Sequence, residues 1–415
     1  MKKLYFSYCQ QIITFVLTLC LTTSIFAADT TDVKKDRYNK SLRFFYQAGS
    51  VLPTNDFLKG DNASGKPVDY FQSASLQFGI ETDGKKLWQQ LYGYPTWGFG
   101  FYGVNFFNPE ELGNPSAIYG FFNAPIVKRF NRWSINYEVG FGLTYNWKPF
   151  DLNTNPYQYA IGSSNTVFID AGLNADIMLG KHFNLTVGFT FTHFSNGAMK
   201  VPNMGINLVA PRLGIKYQFK PRKDFIVSQI PDYTNNWEYI ILIAGSSKQL
   251  AFKILDDGDT SYLAETYGVF TLSTGINRQI SHKVKFGIGA DISFDGSYNS
   301  YINYENGKTT ERLNAGTGNK LAIGIYGAFE LVINKLSVII QPGWYVYRED
   351  WQIPDTPPNN HTSIPRRKPG TSYQRIGIKY HIFKDVFAGI NVRAYNFSVA
   401  DYIEWNIGYR INWRK

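Results

Sequence analysis

Residues 133–147 read WSINYEVGFGLTYNW. Every odd-numbered position from Trp133 to Trp147 is aliphatic or aromatic, whereas the even-numbered positions hold Ser, Asn, Glu, Gly and Thr. Successive side chains of a β-strand point to opposite faces, so this alternation predicts a strand with one wholly apolar face. A tilted strand of about ten residues crosses a bilayer, so the stretch is long enough to form one strand of a transmembrane barrel.

The same alternation recurs along most of the chain. In residues 167–177 and 284–294, an apolar row alternates with a row that is mostly polar or Gly. The pattern predicts an all-β protein, a transmembrane antiparallel β-barrel of about sixteen strands. The predicted strands lie roughly at 42–52, 69–82, 96–107, 116–129, 132–147, 165–179, 182–195, 205–220, 236–252, 261–279, 282–298, 319–333, 335–349, 372–383, 385–398 and 401–413.

The composition excludes other classes of protein. The 415 residues are 44% apolar, 18% charged and 17% aromatic. A disordered chain is more polar and poorer in aromatic residues, and a coiled coil is dominated by Ala, Leu, Glu and Lys. After residue 28 there is no run of about eighteen apolar residues, so a closed barrel is the remaining way for this chain to cross a bilayer.

The first residues have the features of a secretory signal peptide. Two lysines follow the initiator Met, Ile12–Phe26 is mostly apolar, and Ala27 offers a small residue for cleavage. We therefore predict a signal peptide over residues 1–27. Both cysteines, Cys9 and Cys20, fall within it, so the exported chain is expected to have no disulfide and no thiol nucleophile.

The charge of the chain bears on its partners. The formal net charge is +10, and a basic exported protein meets anionic lipid rather than nucleic acid. Lys and Arg do not cluster among the aromatic rows, so no nucleic-acid partner is expected. No ligand spacing for zinc or calcium stands out, so we expect neither a metal nor a cofactor.

The predicted connections alternate in length. Those after even-numbered strands are mostly short, and those after odd-numbered strands are mostly long, at 53–68, 148–164, 299–318 and 350–371. Outer-membrane barrels have short periplasmic turns and longer external loops, which places the mature N-terminus in the periplasm. The connection 83–95 is longer than this rule predicts.

The two halves of the chain resemble each other, with an internal repeat of about 190 residues. This predicts two eight-stranded barrels in tandem, at 28–220 and 237–415, joined by a linker at 221–236. One sixteen-stranded barrel is the alternative. Bulky residues predicted to face the lumen, such as Phe168 and Phe194, favour small, filled barrels.

The predicted seventh strand carries the most informative polar residues. His193 and Ser195 continue its apolar row, so they face lipid at the external end, where polar side chains are costly. Asn207 on the eighth strand has the parity to lie beside His193. A hydroxyl, an imidazole and an orienting amide are the parts of a serine nucleophile site. The hairpin tip, residues 196–198, offers backbone N–H groups to an oxyanion.

Residues 193–207 read HFSNGAMKVPNMGIN. This segment resembles the active-site segment of the PagL-like lipid A 3-O-deacylases, through its His-x-Ser-Asn element and its Pro-Asn-x-Gly turn. The resemblance implies an outer-membrane serine esterase of a Gram-negative bacterium. Its partner would be lipopolysaccharide, from whose lipid A it removes an ester-linked acyl chain in the outer leaflet. Such enzymes have eight strands and a Ser-His-Glu triad.

The resemblance also assigns roles to residues of this chain. It implies that His193 is the base, that Ser195 is the nucleophile, and that Asn203 helps to bind the oxyanion with Asn196 and Gly197 of the hairpin tip. The acidic member of the triad falls at Asn207, which can orient an imidazole but cannot stabilise imidazolium by charge. This departure leaves open a weaker activity, a different acidic residue in the triad or a different acyl substrate.

The second half does not repeat this motif. Residues 395–398 occupy the equivalent strand end without a histidine, and Glu404 follows on the last strand. The second half is therefore expected to be a degenerate barrel with a structural or partner-binding role. The alternative for the whole chain is a non-enzymatic outer-membrane barrel, such as a pore, an adhesin or a structural pseudoenzyme.

Overall fold

A computed structural model describes residues 39–127, 132–222, 224–256, 259–305, 308–314, 317–349, 362–363, 370–396 and 399–413. All of these residues belong to one compact unit. The predicted signal peptide and both cysteines lie outside the described residues, so that prediction is not tested. In the described part of the chain, no helix is long and apolar enough to cross a membrane.

The first half folds into a closed antiparallel barrel of eight strands, here called barrel 1. Each strand pairs with the next along the chain, and the first pairs with the last to close the barrel. The strands are β1 (Asn39–Val51), β2 (Tyr70–Glu81), β3 (Thr96–Asn105), β4 (Gly113–Pro125), β5 (Trp133–Trp147), β6 (Thr166–Met178), β7 (Phe183–Ser195) and β8 (Ile206–Gln218). Two short helices lie in its connections, α1 (Asp56–Lys59) and α2 (Leu87–Leu91).

The second half closes into its own barrel, here called barrel 2. Its strands are β9 (Asn236–Asp256), β10 (Asp259–Gln279), β11 (Val284–Asp295), β14 (Leu321–Ile333), β15 (Leu336–Arg348), β17 (Ser372–His381), β18 (Val386–Tyr395) and β19 (Val399–Trp413). The all-β prediction of two tandem eight-stranded barrels is confirmed, and the sixteen-stranded alternative is wrong, because β8 pairs with β1 and β19 pairs with β9. The predicted limits of the two domains and the linker stay a prediction.

Three additional strands form a small sheet outside the barrels. They are β12 (Ser300–Glu305), β13 (Lys308–Asn314) and β16 (Thr362–Ser363). They lie within segments that the sequence pattern predicted to be loops. The dipeptide between β12 and β13 in the sequence is Asn306-Gly307, which strongly favours a hairpin. A search for apolar–polar alternation alone does not detect this signal.

The predicted faces of the strands are confirmed by exposure. Apolar residues point outward, as in β5, where Leu143 is 64% exposed. The lumen of barrel 1 holds buried ion pairs, in which Glu138 contacts Arg43 Nη1 at 2.7 Å and Arg212 Nη1 at 3.2 Å. Arg212 also lies 3.4 Å from Asp170. Pairing compensates for the loss of hydration that each buried charge suffers.

Aromatic side chains fill the end of barrel 1 that carries the long connections, here called its loop end. Phe168 and Phe194 are 1% and 0% exposed, and their rings lie 5.8 Å apart. Phe57 from the β1–β2 connection and Ile161 from the β5–β6 connection are buried in the same cluster. This packing fixes the loop ends of β6 and β7, and β7 carries His193 and Ser195.

Candidate active site

The outward face of β7 and β8 carries the predicted site residues at the loop end of barrel 1. Phe194 points into the core, so its neighbours His193 and Ser195 point outward and are half-buried. Asn207 lies directly opposite His193 in the β7–β8 pairing, as the parity of the sequence predicts. Backbone pairing therefore brings the imidazole and the amide together.

The imidazole of His193 is held by Asn207. His193 Nδ1 lies 2.6 Å from Asn207 Oδ1. Since an amide oxygen only accepts hydrogen bonds, Nδ1 carries the proton and donates it, which leaves the lone pair on Nε2. The amide of Asn207 is oriented by Thr54, whose hydroxyl accepts a long hydrogen bond of 3.5 Å from Nδ2.

Ser195 and His193 both lie against Gly205. A β-carbon added at Gly205 would be 3.2 Å from His193 Cε1 and 3.7 Å from Ser195 Cβ, and the backbone there has a φ of +73°. Glycine therefore suits this position for both space and conformation. Within the described residues, no hydrogen bond joins Ser195 Oγ to the imidazole. Such bonds are often loose in free enzymes and tighten when substrate binds.

The turn at residues 196–203 is organised by its two asparagines. Asn196 N–H donates to Asn203 Oδ1 at 3.0 Å, and Asn196 Nδ2 donates to Lys200 O at 2.7 Å. Gly197 and Ala198 both have left-handed backbones, with φ of 61° and 59°. Asn196 N–H is therefore engaged within the turn, whereas Gly197 N–H, Ala198 N–H and Asn203 Nδ2 make no hydrogen bond among the described residues.

Two neighbouring connections support the turn from behind. Gly205 N–H donates to Ala160 O at 3.0 Å, and Met204 N–H donates to Tyr159 O at 3.3 Å. Asn55 Nδ2 donates to Gly205 O at 3.0 Å. Thr54, Asn55 and the 159–160 segment are contributors that the sequence interpretation missed. They lie in loops, where no alternation marks a residue's direction.

The carboxylates of the neighbouring strand β6 point away from this site. Ile169 of β6 lies opposite His193, and the next residue, Asp170, points into the lumen. Asp170 accepts hydrogen bonds of 2.7 Å from both Thr190 and Thr192. No carboxylate contacts the His193 ring among the described residues. In the same part of the chain, no group of three His, Cys, Asp or Glu side chains is placed to hold a metal ion.

Comparison with solved structures gives several distant matches. The outer membrane enzyme PagL shares 16% identity at a TM-score of 0.26, covering 41% of this chain and 97% of its own. The siderophore receptor PirA from Pseudomonas aeruginosa shares 9% at a TM-score of 0.23, covering 91% and 81%. The Pseudomonas putida toluene transporter TodX shares 9% at a TM-score of 0.16, covering 90% and 88%. At these TM-scores the three structures say nothing about the chemistry of this chain.

Comparison with known sequences is more specific. No curated protein matches the chain. The family model described as "Lipid A 3-O-deacylase (PagL)" matches residues 72–216, and "Acyloxyacyl hydrolase, C-terminal domain" matches residues 237–413. The two matches fall on barrel 1 and barrel 2 and together span most of the chain. The chain belongs to the PagL-like family of outer-membrane lipid A deacylases and lies in the outer membrane of a Gram-negative bacterium.

Proposed function

We propose that the chain is a serine esterase that removes an ester-linked acyl chain from lipid A. Ser195 is the nucleophile, His193 is the general base, and Asn207 holds the imidazole. The observation that carries the proposal is the 2.6 Å contact between His193 Nδ1 and Asn207 Oδ1. It selects the tautomer in which Nε2 is free to accept a proton, on the same face of β7 as Ser195.

Acylation starts when Ser195 Oγ attacks the ester carbonyl and its proton passes to His193 Nε2. Formation of the Oγ–C bond gives a tetrahedral intermediate. Its negatively charged oxygen accepts hydrogen bonds from Asn203 Nδ2 and Gly197 N–H. The bond from the carbonyl carbon to the lipid A oxygen then breaks. The imidazolium returns its proton to that oxygen, which leaves a free hydroxyl on lipid A and an acyl chain on Ser195.

Deacylation follows the same steps with water as the nucleophile. Water gives a proton to His193 Nε2 and attacks the acyl carbonyl. The Oγ–C bond then breaks, and the proton returns to Ser195 Oγ as the fatty acid leaves. Asn207 holds the ring through both halves, but its neutral amide adds no negative charge to stabilise the imidazolium. We therefore expect slower turnover than in an enzyme with a carboxylate at this position.

The position of the site in the membrane supports a lipid substrate. His193 and Ser195 continue an outward row that includes Phe189 and Phe191, both exposed. The row ends at the loop end of barrel 1, which the connection lengths assign to the external leaflet. Lipid A in that leaflet can therefore reach the site laterally, from within the membrane. The filled lumen, with Phe168 and Phe194 buried, argues against a pore.

The test is mass spectrometry of purified lipid A after incubation with the full chain in detergent, using wild type and Ser195→Ala. We expect the wild type to release one hydroxyacyl chain and the variant to lose activity by about a thousandfold or more. Folding should persist, because Ser195 faces outward and packs little. Heat-modifiable mobility on a gel measures the folded fraction.

Ser116→Ala is the matched control, because Ser116 is another half-buried serine near the loop end, at the start of β4. It should keep wild-type activity. If a folded wild-type protein leaves lipid A unchanged, the esterase proposal fails and the structural barrel becomes the better explanation. If Ser195→Ala keeps activity, the nucleophile is assigned wrongly.

A further inference from the structure

Barrel 2 contacts the active-site turn of barrel 1 through β9. Lys248 points into the lumen of barrel 2, where its Nζ lies 2.6 Å from Asp295. The next residue, Gln249, therefore points outward from barrel 2. A polar side chain on the outer wall of a barrel is costly in lipid unless it has a partner. Gln249 finds its partners in barrel 1.

Gln249 makes two hydrogen bonds to the backbone of the turn at residues 196–203. Its N–H donates to Ala198 O at 3.3 Å, and its Oε1 accepts from Val201 N–H at 3.1 Å. Its Nε2 donates to Thr266 Oγ1 at 3.1 Å, which fixes the direction of the amide. A single residue of barrel 2 thus holds the turn at two points, between Asn196 and Asn203.

A second residue of barrel 2 packs against the same turn. Ile403 occupies an outward position on β19, where its neighbour Trp405 is 57% exposed, yet Ile403 itself is only 5% exposed. A β-carbon added at Gly197 would collide with Ile403 Cγ1 and Cδ1. The turn therefore lies flush against the wall of barrel 2, and only glycine fits at residue 197.

The barrels are also joined at the opposite end. The hydroxyl of Tyr92, just after α2, donates to Val332 O at 2.9 Å, and Lys283 Nζ lies 4.8 Å from the centre of its ring. Contacts at both ends restrain the tilt of one barrel against the other. The contact of Gln249 with the turn is therefore a fixed part of the structure.

We propose that barrel 2 completes the active site of barrel 1, with Gln249 as a positioning residue for the oxyanion-binding turn. This proposal rests on the esterase function proposed above. Gly197 and Ala198 hold left-handed conformations, and a strained turn persists only where its surroundings enforce it. Gln249 supplies that restraint from outside barrel 1 by holding Ala198 and Val201, which lie between Gly197 and Asn203.

The test compares Gln249→Leu and Gln249→Glu in the full chain, with lipid A in mixed micelles. Gln249→Leu removes the acceptor for Val201 N–H, so kcat should fall about ten- to a hundredfold from misplacement of the oxyanion donors, while KM stays within about twofold. Gln249→Glu keeps a side-chain oxygen and should retain activity within about threefold of wild type. Gln279→Leu, the same change at the opposite end of barrel 2, should be silent.

Hydrogen exchange of the turn peptide, measured by mass spectrometry without substrate, separates this proposal from the esterase proposal. Exchange at residues 197–203 should be faster in Gln249→Leu than in wild type or Gln279→Leu. If exchange changes but wild type has no esterase activity, the function fails and the restraint stands. If exchange, kcat and KM are all unchanged in Gln249→Leu, the positioning role is wrong. Unchanged exchange with a raised KM also contradicts it.

Discussion

Barrel 1 and barrel 2 close with the same number of strands, but they differ on their outer walls at the loop end. Barrel 1 carries His193 there, held by Asn207 and next to Ser195. The corresponding hairpin of barrel 2, between β18 and β19, has no histidine, and its Ser398 lies outside the described residues. His381 of barrel 2 is buried on β17, and neither of its ring nitrogens has a partner among the described residues.

The lumens of the two barrels are much more alike. Glu138 pairs with two arginines in barrel 1, and Glu404 pairs with Arg375 at 2.7 Å and Arg393 at 3.3 Å in barrel 2. Glu404 is therefore a lumen residue and does not reach the outer wall. The comparison teaches that both lumens are built on buried ion pairs, whereas the serine and histidine of the proposed active site lie on barrel 1.

The largest expected effect is on the free energy of unfolding, which should fall by different amounts when the central glutamate of each lumen is replaced. In Glu138→Gln, Arg43 loses the only carboxylate within ion-pair distance among the described residues, and we expect a loss of about 3–5 kcal/mol. In Glu404→Gln, both arginines keep Asp291, at 3.0 and 3.5 Å, so the loss should be about 1–3 kcal/mol. Urea unfolding in detergent, followed by tryptophan fluorescence, measures both. Equal losses would mean that the shared Asp291 gives no protection.

The next effect sharpens the difference between the hairpins. Asn207→Glu places a negative charge beside the imidazole and should raise kcat about tenfold, because the imidazolium formed in the transition state is then stabilised by charge. Lipid A turnover measures this rise. The double variant Ser195→Ala/Asn207→Glu must be inactive. A fall in kcat would show that Asn207 is the better fit for this site.

The smallest effect tests the space around His193. Gly205→Ala presses a methyl group towards the imidazole and strains a positive φ, so kcat should fall about three- to tenfold and stability by about 1–2 kcal/mol. Gly245→Ala in barrel 2 is the matched control, since a β-carbon there meets nothing within 4 Å. Activity and urea unfolding distinguish the two. Equal behaviour would remove Gly205 from the site.

Much of the site could be predicted from the sequence because strands are periodic. Alternation of period two fixed which residues of β7 and β8 face outward, and their shared parity placed His193 and Asn207 on the same face. Together these features predicted that His193 lies beside Asn207, and the structure has them in contact. The same periodicity predicted all sixteen barrel strands to within four residues of their observed ends.

The contributions from loops could not be predicted in this way. Thr54 and Asn55 reach the site from the first connection, and Gln249 reaches it from the other barrel, across sequence separations that no local pattern encodes. The connection 83–95, which is longer than the connection-length rule predicts, also contacts a segment far away in the sequence. Ile226 N–H in the segment between the barrels donates to Asp83 O at 2.8 Å, and Ser228 pairs with Gln90 at 2.8 Å.

The sequence by itself determined the strands, their faces and the shared face of His193 and Asn207, because alternation is a local property of the chain. The internal repeat favoured two barrels, but only the tertiary structure, in which β8 closes on β1, excluded a single barrel of sixteen strands. It alone showed that barrel 2 contacts the turn at residues 196–203. Both depend on contacts between segments far apart in sequence, where side-chain packing and hydrogen bonding, rather than local periodicity, select the partner.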